Sequence, residues 1–320
     1  MGVLIKGSNY LEALSNTEIA VFDKTGTLTK GVFEVQKVNP IGISEEDLLK
    51  IAAYAENYSN HPISKSIKQA YNKEIDEKKI LNYEELSGLG ISAKIDNKNV
   101  LVGNEKLMQE KKIKFEKCND IGTIVYIAIE EKYSGYILIA DKIKDDAKQT
   151  IEELKKNNIK QIIMLTGDRK EVGESVAKEI GIDKVYTELL PTDKLQKVEE
   201  LLKTKSPKGK LAFVGDGIND APVLATSDIG IAMGGIGADS SIEAADIVIM
   251  TDEPSKIVKS IKLSKKTMRI VKENIIFAIS IKVLVLILAA FGLSTMWEAV
   301  FADVGVSIIA IINALRALKG

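Results

Sequence analysis

Asp23 ends the apolar run "EIAVFD" and is followed at once by Lys24, Thr25, Gly26 and Thr27. A carboxylate in that position serves an ordinary surface turn, or it stands ready to attack phosphorus. Two further runs end in the same manner. "KQIIMLTGD" closes with Thr166, Gly167 and Asp168, and "KLAFVGDGIND" carries Asp216, Asn219 and Asp220. Lys194, in "PTDK", opens a helical stretch, where a lysine by itself is usually a solvated residue. Phosphoryl transfer needs an in-line nucleophile, groups that neutralise charge and little else, and these residue types supply both.

The elements around these residues decide whether they meet. Short continuous apolar runs read as strands buried on both faces of a parallel sheet. Helical patterns lie between them: "KDDAKQTIEELKKNN", "DRKEVGESVAKEIG" with Gly181 as a cap, and "PTDKLQKVEELLKTK". Alternating strands and helices make a doubly wound α/β domain, whose chemistry lies beyond the carboxyl ends of its strands. Asp23, Thr166 and Asp216 all fall there. One such residue is ordinary; three on one edge make an active site.

The first strand is separated from the others by an insertion at about 32–137. Ser44 opens a helical stretch with capping-box character, and Pro62 suits the first turn of a second helix. Alternating segments follow, "ISAKI", "NVLVG", "TIVYIAIE" and "YSGYILIA", which read as an antiparallel sheet. The insertion is therefore an α+β domain. Segments 1–20 and 254–274 read as helical.

The 44 basic residues nearly balance the 45 acidic ones, which argues against a general nucleic-acid-binding surface. The single cysteine, Cys118, excludes an intrachain disulfide framework and fits a reducing compartment; a core or surface role is expected for it. The opening "MGVLIKGSNYLEAL" lacks the apolar core of a signal peptide.

The carboxyl end has a different solvent. Ile275 to Leu293 is 19 residues with one charge, Lys282, and "WEAVFADVGVSIIAIINAL" follows after a short turn. Each stretch is long enough to cross about 30 Å of hydrocarbon. Two buried helices of a soluble core would read similarly, but the flanking charge favours a membrane. Lys265, Lys266, Arg269 and Lys272 precede the first span, and Arg316 and Lys319 follow the second, so a hairpin with both ends cytoplasmic satisfies the positive-inside rule.

With these residues in view, the chain resembles a known family. "DKTGTLT" (Asp23 to Thr29), "TGD" and "GDGINDAP" are similar to the phosphorylation-domain signatures of P-type ATPases, within the haloacid dehalogenase superfamily. The resemblance implies a haloacid-dehalogenase-like doubly wound sheet, an inserted α+β nucleotide-binding domain and a carboxyl-terminal transmembrane hairpin. Its expected limits are 1–31 with 138–255, then 32–137, then 256–320, with spans near 273–293 and 296–316. Asp23 would be the nucleophile that forms an aspartyl phosphate. Mg²⁺ would be held by Asp23, the carbonyl of Thr25 and Asp216, with Asn219 and Asp220 completing the polar edge. Thr166, Gly167 and Lys194 would hold the phosphoryl oxygens beside Asp168. Related phosphatases carry an aspartate two residues after the nucleophile as general acid and base; Thr25 cannot do that work, which favours a pump over a phosphatase.

"ENYSNHP" resembles the adenine-site pattern of the heavy-metal subgroup, which implies ATP binding by Glu56 and His61. Gly88 and Gly90 match its glycine pair, where a missing side chain lets backbone approach the nucleotide. Gly103 and Asn104 resemble a later pair of the same domain. "NIIFAISIK" and "MWEAVFADVG" resemble the zinc, cadmium and lead exporting branch, so Zn²⁺, Cd²⁺ or Pb²⁺ is the expected cargo. Asp303 is the candidate ligand and Lys282 its counter-charge, because an ionisable residue inside a membrane is functional by default; a structural ion pair without an ion is the plainer alternative. The implied setting is the plasma membrane, multi-pass, with the large domains in the cytoplasm and the lipid bilayer as partner.

The Cys-Pro-Cys site, the Thr-Gly-Glu actuator loop and six earlier helices of a full pump do not occur in this sequence. The chain is therefore expected to be a carboxyl-terminal portion: a fragment, a split or truncated gene product with a separate upstream half, or an excerpt. Two other readings stand beside the exporter. One is a stand-alone haloacid-dehalogenase-type phosphohydrolase, and the other a residual ATP-binding membrane protein.

Overall fold

A computed structural model describes residues 2–118, 120–216, 220–234 and 243–318. The chain opens with a short strand, β1 (Val3–Ile5), a helix, α1 (Ser8–Ser15), and a fully interior strand, β2 (Thr17–Asp23). Residues 1–20 are thus not one helix. Leu4 and its neighbours pair antiparallel with a later strand at Val248, and an exposed edge of three residues leaves no periodicity to read.

From Leu28 to Lys144 the chain builds a second compact unit. Its strands are β3 (Thr29–Pro40), β4 (Ile80–Leu86), β5 (Gly90–Ile95), β6 (Lys98–Gly103), β7 (Thr123–Ile129) and β8 (Lys132–Ile143). They form one antiparallel sheet in the order β3-β8-β7-β6-β5-β4. The β3–β8 ladder runs from Pro40 opposite Gly135 to Thr29 opposite Ile143, so it passes the sequence-derived limits of 32 and 137 at both ends. Two helices cover one face: α2 (Glu45–Ala55) and α3 (Pro62–Tyr71). Ser44 caps α2 by accepting the Asp47 amide, and Pro62 sits in the first turn of α3. Leu48, Ala52, Ala53 and Ile67 from these helices pack on Ile91, Val102, Ile127 and Ile137 of the sheet. The opposite face takes α4 (Glu105–Glu110) through Leu107 and Met108.

The remaining elements are α5 (Ala147–Lys156), β9 (Gln161–Leu165), α6 (Lys170–Ile180), β10 (Lys184–Tyr186), α7 (Pro191–Leu202), β11 (Lys210–Gly215), α8 (Ala221–Thr226), β12 (Ile229–Met233) and β13 (Ile247–Ile249). With β1 and β2 they give a seven-stranded sheet ordered β1-β13-β12-β11-β2-β9-β10, parallel except at β1. Taken from β2 onward, the six parallel strands follow the doubly wound order 3-2-1-4-5-6, whose switch point lies between the first and fourth. Those strands are β2 and β11. Ile19 to Phe22 are at most 2% exposed, because both faces of β2 are covered and both edges are paired. Leu211, Phe213, Ile163 and Leu165 complete this core.

After β13 a single helix, α9 (Ser255–Ala290), runs for 36 residues, about 54 Å. Its first half buries Ile257, Val258, Ile261 and Ile270 and contacts α1 and α5. Its second half and α10 (Met296–Leu318) are long and apolar enough to cross a membrane. Leu286 is 69% exposed and Trp297 76% exposed, so these are not the buried helices of a soluble core.

Candidate functional site

The parallel register brings the chemical residues of the first unit to one edge. Asp23 lies opposite Leu165, the residue before Thr166, and Phe22 lies opposite both Met164 and Val214. Asp23, Thr166 and Asp216 therefore leave three adjacent strands at the same level, the middle strand carrying Asp23. This is the switch-point edge, where such sheets place ligands.

The chain after Asp23 turns sharply. Thr25 at φ −75°, ψ 129° and Gly26 at φ 74°, ψ −11° are the two central residues of a type II turn, which needs a glycine at the second. A Cβ on Gly26 would stand 3.3 Å from the Cβ of Asp216, so the turn lies directly against that carboxylate. Lys24 is almost fully buried, and its Nζ is 2.5 Å from Asp168 Oδ2. The Thr166–Asp168 loop is fixed from within, where the Asp168 amide donates to Thr166 Oγ1 at 3.1 Å. It is also fixed from behind, where the Leu189 and Glu188 amides donate to the carbonyls of Thr166 and Asp168.

Lys194 reaches the edge from the first turn of α7. Pro191 presets that turn, and Asp193 Oδ2 accepts the Leu190 amide at 2.9 Å. Lys194 Nζ then donates to Asp23 Oδ1 at 2.5 Å and to Asp220 Oδ1 at 3.0 Å. Asp23 is 6% exposed and Asp220 2% exposed, so the ammonium sits between two buried carboxylates. Burial, then the Asp220 charge, push the Asp23 carboxyl up to about 7 against the pull of Lys194, and Asp216 adds to the rise. Burial alone would lower the Lys194 ammonium, but Asp23 and then Asp220 outweigh it and raise it. Asp23 rises chiefly through burial and Lys194 through its two carboxylate partners, and Asp23, Asp216 and Asp220 outnumber the one ammonium beside them.

That surplus is what a hard divalent cation relieves. Among the described residues no group of three or more His, Cys, Asp or Glu side chains is arranged to hold a metal by itself. Mg²⁺ does not require one, since it takes one or two carboxylates and completes its shell with waters and substrate phosphate oxygens. Asp23 and Asp216, with the Thr25 carbonyl, fit that demand. Asn219 lies outside the described residues.

The second unit has its own cleft, of roughly 310 Å³, lined in part by Glu56, His61, Gly88, Gly90 and Asn104. Glu56 ends α2 and His61 caps α3, so the loop 57–60 holds both at the mouth. His61 Nδ1 accepts the Ile63 amide at 3.3 Å, which leaves Nε2 as the donor nitrogen of the neutral ring. Glu56 Oε2 accepts from Ser64 Oγ at 2.5 Å, and Ser64 Oγ also reaches Ser59 Oγ at 2.9 Å. Burial raises the Glu56 carboxyl above the usual range against that hydrogen bond. Ser64 was not singled out in the sequence; its signal was a small polar residue one turn into a capped helix. The two glycines differ. Gly88, at φ 72°, faces open space, whereas a Cβ on Gly90 would meet the Val102 carbonyl at 2.2 Å. Gly90 is therefore demanded by its own β-ladder, and Gly88 is the one that leaves backbone approachable. Asn104 ties the rim by donating from Nδ2 to the Gly88 carbonyl at 2.8 Å.

In the apolar helices Lys282 Nζ meets Asp303 Oδ1 at 3.0 Å. Asp303 lies within a widened turn of α10, Phe301–Gly305, a departure from regular helix often seen at functional positions.

A doubly wound sheet ordered 3-2-1-4-5-6, with an antiparallel unit inserted after its first strand and carboxylates and lysines along the switch-point edge, defines an α/β class of hydrolase-like domains. The chain belongs to the haloacid dehalogenase-like hydrolase family, whose model matches residues 17–228. It is 54% identical over 319 residues to a cadmium, zinc and cobalt-transporting ATPase of Bacillus subtilis (strain 168), covering 99% of this chain and 45% of that protein. It is 51% identical over 319 residues to a zinc-transporting ATPase of Synechocystis (strain PCC 6803), covering 99% and 44%. Among solved structures it is similar to a zinc-transporting PIB-type ATPase in an E2·Pi state, with a TM-score of 0.85 at 32% identity over 99% of this chain and 52% of that one. The chain spans about half the length of the curated relatives it matches.

Proposed function

We propose that this chain carries the catalytic part of an ATP-driven exporter of divalent heavy-metal ions, working through an aspartyl phosphate at Asp23. The observation that carries the reading is the contact of Lys194 with both Asp23 and Asp220 at the switch-point edge. A carboxylate oxygen of Asp23 attacks the γ-phosphorus of ATP in line, the bond to the bridging oxygen breaks, and ADP leaves. Lys194 and the Thr166–Gly167 loop neutralise the equatorial oxygens. Mg²⁺, held by Asp23, Asp216 and the Thr25 carbonyl, would supply charge neutralisation for the incoming phosphates. Glu56, His61 and Gly88 hold the nucleotide in the second unit. Thr25 stands where a general acid and base would act in a phosphohydrolase, so the phosphoenzyme persists.

Asp303, with Lys282 as counter-charge, is the ligand for the cargo, for which Zn²⁺, Cd²⁺ and Pb²⁺ are the candidates. A carboxylate suits a divalent borderline ion better than it suits copper(I). The chain sits in the plasma membrane with both large units on the cytoplasmic side, and in transport it works with the remaining half that its relatives possess. To test the reading, purified chain is mixed with Mg²⁺ and ATP labelled at the γ-phosphate, quenched in acid and assayed beside p-nitrophenyl phosphate turnover. A hydroxylamine-labile label with little p-nitrophenyl phosphate hydrolysis is expected. Rapid hydrolysis without a trapped label would favour the stand-alone phosphohydrolase.

A further inference from the structure

The hairpin carries a second polar layer below the Lys282–Asp303 pair. Asn274 Nδ2 donates to the Ala310 carbonyl at 3.0 Å, and Asn313 Nδ2 donates to Asn274 Oδ1 at 2.8 Å. Arg316 closes the layer, donating to Asn313 Oδ1 at 2.7 Å and to Glu273 Oε2 at 3.1 Å. Residues 275–290 of α9 and 306–314 of α10 are mostly aliphatic, and aliphatic surfaces permit sliding.

We infer that Asn274 and Asn313 form a register latch that sets α9 against α10 so that Lys282 and Asp303 meet. The inference rests on the proposed role of that pair. Asn274 and Lys282 are 8 residues apart, about 12 Å along α9. From Asp303, Ala310 is 7 residues away and Asn313 is 10, about 10 Å and 15 Å along α10. The height of Asn274 therefore falls between its two partners, and its one amide grips both. Two partners one turn apart fix the rotation of α10 as well as its height. A short, stiff asparagine can define such a position. Lys282 cannot, because its long flexible stem reaches a carboxylate from many registers. The layer lies at the charged end of the hairpin beside Glu273 and Arg316, where the linked contacts of Asn274 and Asn313 to both helices favour the paired arrangement. Asn274 and Asn313 are positioning residues: they act on the cargo pair through helix register and touch no ion.

The test uses the full chain in phosphatidylcholine nanodiscs treated with dicyclohexylcarbodiimide, which partitions into lipid and joins a lysine amine to an adjacent carboxylate. The isopeptide between Lys282 and Asp303 is quantified by mass spectrometry in the wild type, Asn274→Leu, Asn313→Leu and Asn274→Gln. The wild type gives the cross-link. Either leucine variant lowers the yield roughly fivefold or more, the effect of losing an interhelical hydrogen bond, and Asn274→Gln recovers most of it. Circular dichroism and labelling of Asp23 stay at wild-type level, which separates lost register from lost fold. Wild-type yield in both leucine variants would overturn the latch. No cross-link in the wild type, with Asp23 still labelled, would also overturn it while leaving the phosphoryl-transfer reading standing. A normal cross-link pattern without label on Asp23 would do the reverse.

Discussion

At the scale of single residues, the switch-point edge is a charge arrangement in which each member's partner matters. Lys24 and Asp168 tie the turn after Asp23, the proposed nucleophile, to the Thr166–Asp168 loop. Replacing Lys24 by Met leaves Asp168 without the nearest opposing charge. Breaking a fully buried pair costs about 3–5 kcal/mol, and Asp168 is one-third exposed, so a loss of about 1–3 kcal/mol is expected. Thermal unfolding measures that loss, and the rate of phosphoenzyme formation should fall with it, even though Lys24 is not the nucleophile. Asp23 makes a pH prediction. Its carboxyl is raised from 3.8 to about 7, so its stabilising contribution is complete below pH 3.8 and is lost as pH rises through about 7. Metal-free wild type should therefore lose melting temperature relative to Asp23→Asn as pH rises between those limits. In the proposed nucleotide cleft, His61→Ala should weaken ATP binding by about 1–2 kcal/mol without changing the amount of phosphoenzyme at saturating ATP. A titration of ATP against the full chain reads both quantities.

At the scale of elements, the glycines separate structure from ligand approach. Gly90→Ala places a Cβ 2.2 Å from a β6 carbonyl at φ 143°, so the second unit should lose more than about 3 kcal/mol. Gly88→Ala meets only its strained φ of 72°, and about 1–2 kcal/mol is expected. Separate melting transitions for the two variants would check the order. What the sequence made legible follows the same division. The interior strands β2, β9 and β11 announce themselves because burial on both faces forces continuous apolar runs, and each run ends at a polar residue. The antiparallel strands β5 to β8 announce themselves by alternation and turn residues. Strand β1 does not, since three residues on an edge have neither. Pairings across the chain were also hidden. Nothing local in "DKTG" names Asp168 as the partner of Lys24, and nothing in "GIND" names Lys194 as the partner of Asp220; parallel register and the start of α7 create both. The 3.0 Å approach of Lys282 to Asp303 required the packing of two helices, which neither apolar stretch announces by itself.

At the scale of the whole molecule, one helix runs from a packed interior to an exposed apolar surface. The first half of α9 is packed against α1 and α5, and its second half offers leucine, isoleucine and phenylalanine to whatever surrounds it. Expressed in bacteria, the chain should stay with membranes through carbonate washing and leave only with detergent; release by carbonate would contradict two spanning helices. The proposed phosphoryl transfer turns on the carboxylate at the middle of the sheet edge, Asp23. Asp216 and Asp220 lie close enough to raise its pKa, so the bond to phosphorus must be located and not merely detected. The direct measurement is to quench the Mg²⁺–ATP reaction in acid, reduce the acyl phosphate with borohydride, and find the modified residue by peptide mass spectrometry. The account requires conversion of Asp23 to homoserine in the wild type and none at any aspartate in Asp23→Asn. Modification at Asp216 or Asp220, or persistence of the label in Asp23→Asn, would contradict it.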